Sequence, residues 1–160
     1  MRVLPYRNRR RLDPMIAQTI QLALAPVFVL VAIGSIMNIL TTRLGRVVDR
    51  GRELQRRHAD TEGADHDGVV REIRILDHRI ALIGRALLLL VLSGLAIGLT
   101  VSLLFVDEFA PVDLQPWSAG VFILAIALMM WAMFLFLAEV REATAALRIP
   151  RNYLELDRKL

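Results

Sequence analysis

The sequence predicts an all-α, polytopic membrane protein with three transmembrane helices, and two observations support this prediction. Three stretches, 22–40, 86–106 and 119–138, contain no charged residue. Each is long enough to cross a hydrocarbon layer of about 30 Å at about 1.5 Å per helical residue. The chain is 56% hydrophobic and also 22% charged, so the two kinds of residue must be segregated along it.

Charged residues concentrate between and outside these stretches, which leaves room for one membrane domain at 15–150 and a tail at 151–160. The domain's spans are expected at about 20–42, 83–106 and 118–138.

Cysteine is absent, which excludes disulfides and cysteine-ligated metals within the chain. The high pI, about 10.6, reflects arginines that flank the spans. Such arginines favour anionic lipid headgroups as a partner, and no nucleic acid is expected.

The distribution of Lys and Arg predicts the orientation of the chain. Residues 43–82 together with the segment after the third span contain fourteen, whereas the opposite side contains five. The positive-inside rule therefore places the long loop and the C-terminus in the cytoplasm and the N-terminus outside.

All five arginines on the side opposite the long loop lie in a basic leader at 1–14. Export of this leader is disfavoured by the same rule. Translation from Met15 would remove it, so the sequence leaves two possible starts, Met1 and Met15.

The first span is expected to begin as a helix near Asp13 and Pro14, a capping side chain followed by proline. Pro26 lies within the span and is interpreted as a local bend near the outer interface, with a gating hinge as the alternative. Four intramembrane polar residues make its inner end polar: Ser35, Asn38, Thr41 and Thr42. Asn38 is interpreted as a hydrogen-bonding link between helices, with an ion ligand as the alternative.

Residues 43–82 are predicted to form two helical extensions of the spans, paired as an antiparallel cytoplasmic hairpin. Leu40, Leu44, either Val47 or Val48, and Leu54 recur at helical spacing, and 69–83 carries apolar residues in steps of four, three, four and three. These stripes would pack against each other. The alternative is an amphipathic helix that lies flat on the lipid surface.

The turn of this hairpin, expected at 58–68, holds the chain's weak candidates for metal ligands. They are His58, Asp60, Glu62, Asp65, His66 and Asp67. No register supplies the glutamate that closes a calcium loop, and the histidines are not spaced as a helical pair. We therefore expect a solvated turn, no metal site and no cofactor.

Small residues in the second span, Gly94, Gly98 and Ser102, recur every four positions. Such a face lets another helix approach closely in lipid. The pattern leaves open whether that helix belongs to the same chain.

The third helix is expected to continue past the membrane, where Glu139 and Glu142 lie at about the same depth as Arg43 and Arg46. We expect these acids to pair with those arginines. Such partly hydrated pairs fix the register of helices more than they add stability.

Several motifs together resemble one bacterial membrane family, catalogued as domain of unknown function 2721. They are LAPVF at 24–28, ILTTRL at 39–44, VVDR at 47–50 and EVREATAALR at 139–148. The resemblance covers about residues 16–149. It implies a three-span protein of the bacterial inner membrane and brings no established activity.

Two classes of function remain. The first is a structural or regulatory protein that self-associates as a homo-oligomer or binds another membrane protein. The second is a subunit of a small oligomeric channel or transporter, lined by the polar residues of the first span. We expect no enzyme, because no nucleophile, base and acid are spaced for catalysis and no phosphate-binding loop is present.

Overall fold

The computed structural model describes residues 12–107 and 113–146, with the backbone alone at 12–20, 22–23 and 145–146. Within this part of the chain three α-helices form and no strand does: α1 at Leu12–Ala59, α2 at Gly63–Asp107 and α3 at Gln115–Ala146. All three are long and apolar enough to cross a membrane. The predicted fold class is therefore confirmed. The residues before Leu12, and the tail at 151–160, lie outside the described residues.

Each helix is longer than a bilayer needs. The helices contain 48, 45 and 32 residues, which corresponds to about 72, 68 and 48 Å at about 1.5 Å per residue. α1 begins at Leu12, close to the expected capping site, and continues through Pro26.

The connection between α1 and α2 is shorter than the expected turn. Asp60, Thr61 and Glu62 alone separate the two helices. The backbone amide of Asp60 and the hydroxyl of Thr61 both donate to the Arg57 carbonyl, at 3.0 and 3.1 Å, and so satisfy the end of α1. Gly63 has φ +63°, a left-handed conformation that glycine adopts without steric penalty.

The described residues divide into two compact units, through both of which the helices pass. The apolar unit contains those of Met1–Asn38 and Leu89–Met130, and the charged unit contains those of Ile39–Leu88 and Trp131–Leu160.

The core of the charged unit is built from residues seven positions apart. On α1 these are Leu40, Val47 and Leu54, and on α2 they include Leu76 and Ile83, all of them buried. A repeat of seven is typical of helices that pack as in a coiled coil. The two stripes identified in the sequence thus lie in one unit, with these five residues buried and Leu44, Val69, Ile73 and Ile80 half-buried.

The core of the apolar unit contains a polar contact. Ile33 of α1 and Leu90 and Ile97 of α2 are buried. Ser93 of α2 donates a 2.7 Å hydrogen bond to the backbone carbonyl of Ala125 on α3. Both residues are fully buried, and their small size permits the close approach of α2 and α3.

Candidate functional site

Glu139 on α3 is the most unusual residue of the charged unit, because it is an ionisable side chain with no exposed surface. Its Oε2 accepts a hydrogen bond from Nε of Arg43 at 3.1 Å and lies 2.9 Å from Nη2 of the same arginine. Its Oε1 accepts from Nε and Nη2 of Arg79, at 3.1 and 2.8 Å. Each carboxylate oxygen therefore faces two nitrogens of a different arginine, at distances typical of charge-assisted hydrogen bonds.

The spacing of the buried residues along α3 explains why the side chain of Glu139 is buried. Its buried positions recur every seven residues, at Ser118, Ala125, Ala132 and Glu139. A carboxylate at such a position must be neutralised by partners. The side chains of Arg43 and Arg79 are 28% and 17% exposed, so they cover Glu139 while keeping contact with water. Arg43 also lies 5.6 Å from the ring centre of Phe136, a cation–π distance.

The predicted ion-pair residues are only partly brought together. Arg43 contacts Glu139, but Glu142 lies beside His78, whose Nε2 is 3.2 Å from its carboxylate. Arg46 has no carboxylate partner in the described part of the chain and instead lines a groove.

Sequence reasoning missed Arg79, the second partner of Glu139. A signal was present, because Arg79 follows Leu76 by three residues and precedes Ile83 by four. It therefore lies on the same face of α2 as the buried stripe. The apolar residues on either side made this face look purely hydrophobic.

A groove of about 620 Å³ lies on the surface of the charged unit next to the Glu139 cluster. Its lining holds one carboxylate, Glu72, and five arginines: Arg43, Arg46, Arg50, Arg71 and Arg79. Glu72 is paired at 2.8 Å with Arg50 across the hairpin. Val47, Ile75 and Leu76 contribute apolar surface. We call this the basic groove.

The small-residue face of α2 is not covered by the rest of the described chain. A Cβ atom built on Gly94 or Gly98 would meet nothing within 4 Å. Ser102 is exposed, and its hydroxyl donates to the Gly98 carbonyl of its own helix at 3.0 Å. No described part of this chain therefore supplies the close helix partner that the pattern permits.

The polar residues of the first span lie on the surface of α1. Ser35, Asn38, Thr41 and Thr42 are all exposed. The Ser35 hydroxyl donates to the Val31 carbonyl at 3.0 Å, a bond within the helix.

The six candidate metal ligands lie at and beside the turn between α1 and α2. The rings of His58 and His66 are 4.4 Å apart between centroids, and Nδ1 of His66 is 3.2 Å from the Thr61 carbonyl. Across residues 12–107 and 113–146, no three His, Cys, Asp or Glu side chains are grouped closely enough to hold a metal ion.

One comparison with known proteins gives a match. A family model described as a protein of unknown function, DUF2721, matches residues 23–149, which is most of the chain and confirms the resemblance seen in the sequence motifs. No curated protein and no solved structure matches this chain.

Proposed function

The chain belongs to the DUF2721 family of proteins of unknown function, and we propose that it is a self-associating structural or regulatory membrane protein. In this proposal a second copy, or another membrane protein, packs against the small-residue face of α2. The charged unit then provides the surface that a further partner contacts.

The uncovered glycines carry this proposal. α3 also has small residues in a regular row, but Ala125 and Ala132 are buried inside the chain. On α2, by contrast, Gly94 and Gly98 have open space beside them. Close helix packing is a main source of helix association in lipid, where apolar burial gives little driving force. An uncovered face of this kind therefore favours association with a helix from outside the chain.

The proposed location is the bacterial inner membrane, with the charged unit in the cytoplasm. The excess of arginine in 43–82 and after the third span supports this orientation. The N-terminus and the short acidic loop before α3 would then lie outside.

Native mass spectrometry of the protein in lipid nanodiscs tests self-association. The wild type is expected to give a defined oligomer, and Gly94→Leu and Gly98→Leu are expected to shift it toward the monomer because leucine blocks close approach. Gly34→Leu on α1 is the matched control, since Gly34 is equally open. A monomeric wild type, or equal effects of all three variants, would contradict the proposal. Circular dichroism verifies that each variant remains helical.

A second candidate, a subunit of an oligomeric channel or transporter, is favoured by the polar surface of α1. Ser35, Asn38 and Thr42 are spaced by three and four residues, which places them on one exposed face of the helix. In a ring of subunits such a face would line a path for water or ions. Ion flux into liposomes that contain the wild type, and its loss in Asn38→Leu, would support this candidate. Absence of flux in the wild type would count against it.

A further inference from the structure

We propose that residues 152–157 of the chain's own C-terminal tail bind in the basic groove. This segment follows α3 and lies outside the described residues, so it is tethered to the unit that contains the groove. The inference goes beyond the proposed self-association, because it concerns a contact within one copy of the chain. It identifies what covers a charged surface that the described residues leave open.

The first argument is the position at which α3 ends. Ala143, in the last turn of α3, contributes to the lining of the groove, and the helix ends at Ala146. Glu155 lies nine residues beyond that end, and an extended chain of this length spans up to about 30 Å. The groove runs along α2 from Gly68 to Arg79, or about 17 Å of helix. The segment can therefore reach every part of the groove.

The second argument is the match of charges. Within the described residues, Arg46 and Arg71 line the groove and have no carboxylate partner, whereas the other three arginines of its lining each contact a carboxylate. Residues 152–157 contain two acids, Glu155 and Asp157, and the four bases of the tail lie before and after this run. Carboxylates form short charge-assisted hydrogen bonds with guanidinium groups. The two acids would therefore satisfy the two arginines that the fold leaves unpaired.

The third argument is the apolar part of the groove. Ile75 lines the groove and is exposed, although it lies outside the uncharged stretches that cross the membrane. An apolar side chain exposed to water is stabilised by any apolar group that covers it. Residues 152–157 have the sequence NYLELD, in which a tyrosine and two leucines adjoin the two acids. The segment thus offers apolar and acidic side chains to a groove that contains apolar and basic ones.

A neighbouring groove of about 700 Å³ in the same unit is a poorer match for the segment. It shares Arg71 and Ile75 with the basic groove. Its lining also holds two acids, Asp67 and Glu142, which balance Arg71 and Arg74. These acids would repel an acidic segment. The charge of the lining therefore favours the basic groove over the surface beside it.

The test is a distance measurement by double electron–electron resonance on the full chain in lipid nanodiscs. Cysteine is absent from the sequence, so nitroxide labels attach only to introduced cysteines. Gln55→Cys places one label on an exposed residue of α1 outside the groove, and Lys159→Cys places the other just after the segment. A tethered chain of thirteen residues that binds nothing has an r.m.s. end-to-end distance of about 20 Å. An unbound tail would therefore give a broad distribution of distances.

With the native groove, the distribution is expected to be at least about twofold narrower than in Arg46→Gln/Arg71→Gln. Arg52→Gln/Arg141→Gln is the matched control, because it removes the same charge from exposed residues outside the groove. The control is expected to keep the narrow distribution. Equal widths for the native groove and the groove variant would overturn the proposal. Equal broadening in the groove variant and the control would overturn it in favour of nonspecific attraction to a basic surface.

Glu155→Gln/Asp157→Gln tests the same contact from the side of the tail and changes none of the described residues. It is expected to broaden the distribution as much as the groove variant does. An unchanged width would overturn the proposal, even if the groove variant had lost its helical circular dichroism.

Dilution of the doubly labelled chain with an excess of unlabelled chain separates this contact from self-association. A narrow distribution that persists on dilution is the expected result, and it would mean that the tail binds within its own copy whether or not the protein forms an oligomer. A narrow distribution that disappears on dilution would overturn the proposal in favour of a tail exchanged between copies.

Discussion

The carboxylate of Glu139 on α3 accepts a 2.8 Å hydrogen bond from Nη2 of Arg79 on α2, across sixty positions of sequence. Arg79 also lines the basic groove. The same guanidinium therefore joins the core of the charged unit to its surface. The position of this arginine, and with it the shape of the groove, depends on a single buried acid.

Glu139→Gln is expected to destabilise the protein by about 2–3 kcal/mol. The amide preserves shape but leaves two arginines without their counter-charge. The effect should fall below the about 3–5 kcal/mol of a fully buried pair, because both arginines retain contact with water. Unfolding by sodium dodecyl sulfate, followed by circular dichroism, measures the change. Glu142→Gln is the control, expected below about 0.5 kcal/mol because its contact with His78 is exposed. Equal effects of the two substitutions would contradict the structure.

Exchanging the charges of Arg43 and Glu139 is expected to restore stability only in part. In Arg43→Glu/Glu139→Arg the introduced arginine would face the remaining Arg79, a like charge. Adding Arg79→Gln should therefore raise the thermal midpoint of the exchanged protein, while the same substitution should lower that of the wild type. Changes of the same sign in both backgrounds would show that Arg79 does not contact residue 139.

Ser93→Ala is expected to lower stability by about 0.6–1.7 kcal/mol, the range of hydrogen bonds between membrane helices. The lost bond joins α2 to the backbone of α3 in a buried position. Ser35→Ala on α1 is the matched control, because the Ser35 hydroxyl is exposed and donates to the Val31 carbonyl of its own helix. Its effect should be close to zero. Unfolding by sodium dodecyl sulfate measures both variants. Equal losses of unfolding free energy would refute a specific role for Ser93.

Gly63→Ala and Gly68→Ala are expected to change stability in opposite directions. Alanine at residue 63 must adopt the left-handed backbone, which is unfavourable by about 1–2 kcal/mol. Gly68 lies inside α2 with open space beside it, so alanine there should stabilise the helix by about 0.5–1 kcal/mol. Thermal unfolding of the two variants measures both signs. A stabilising Gly63→Ala would contradict the turn geometry.

The fold was largely predictable because each span is an uncharged stretch and each extension has a regular apolar stripe. Leu40, Val47 and Leu54 illustrate this, since their spacing alone places them on one face. The turn was harder to predict. Gly63 and Gly68 both looked like loop residues, yet only Gly63 needs a left-handed backbone, and α2 includes Gly68.

The candidate site was predictable only where depth in the membrane decided the contact. Arg43 and Glu139 lie close to the ends of neighbouring apolar stretches, which brings them to a similar level. The contact between Arg79 and Glu139 depends on how α2 is rotated about its own axis. The sequence does not specify that rotation when an arginine lies within an apolar stripe. The small-residue pattern, for its part, does not encode which chain provides its partner.

The central claim is that Glu139 holds Arg79 in the charged unit, and a double-mutant cycle tests it most directly. The cycle compares the unfolding free energies of Arg79→Gln, Glu139→Gln and the combined variant with that of the wild type. The structure predicts a coupling energy of at least about 1 kcal/mol, within the range for residues in one ion-pair network. A coupling energy below about 0.3 kcal/mol would contradict the claim.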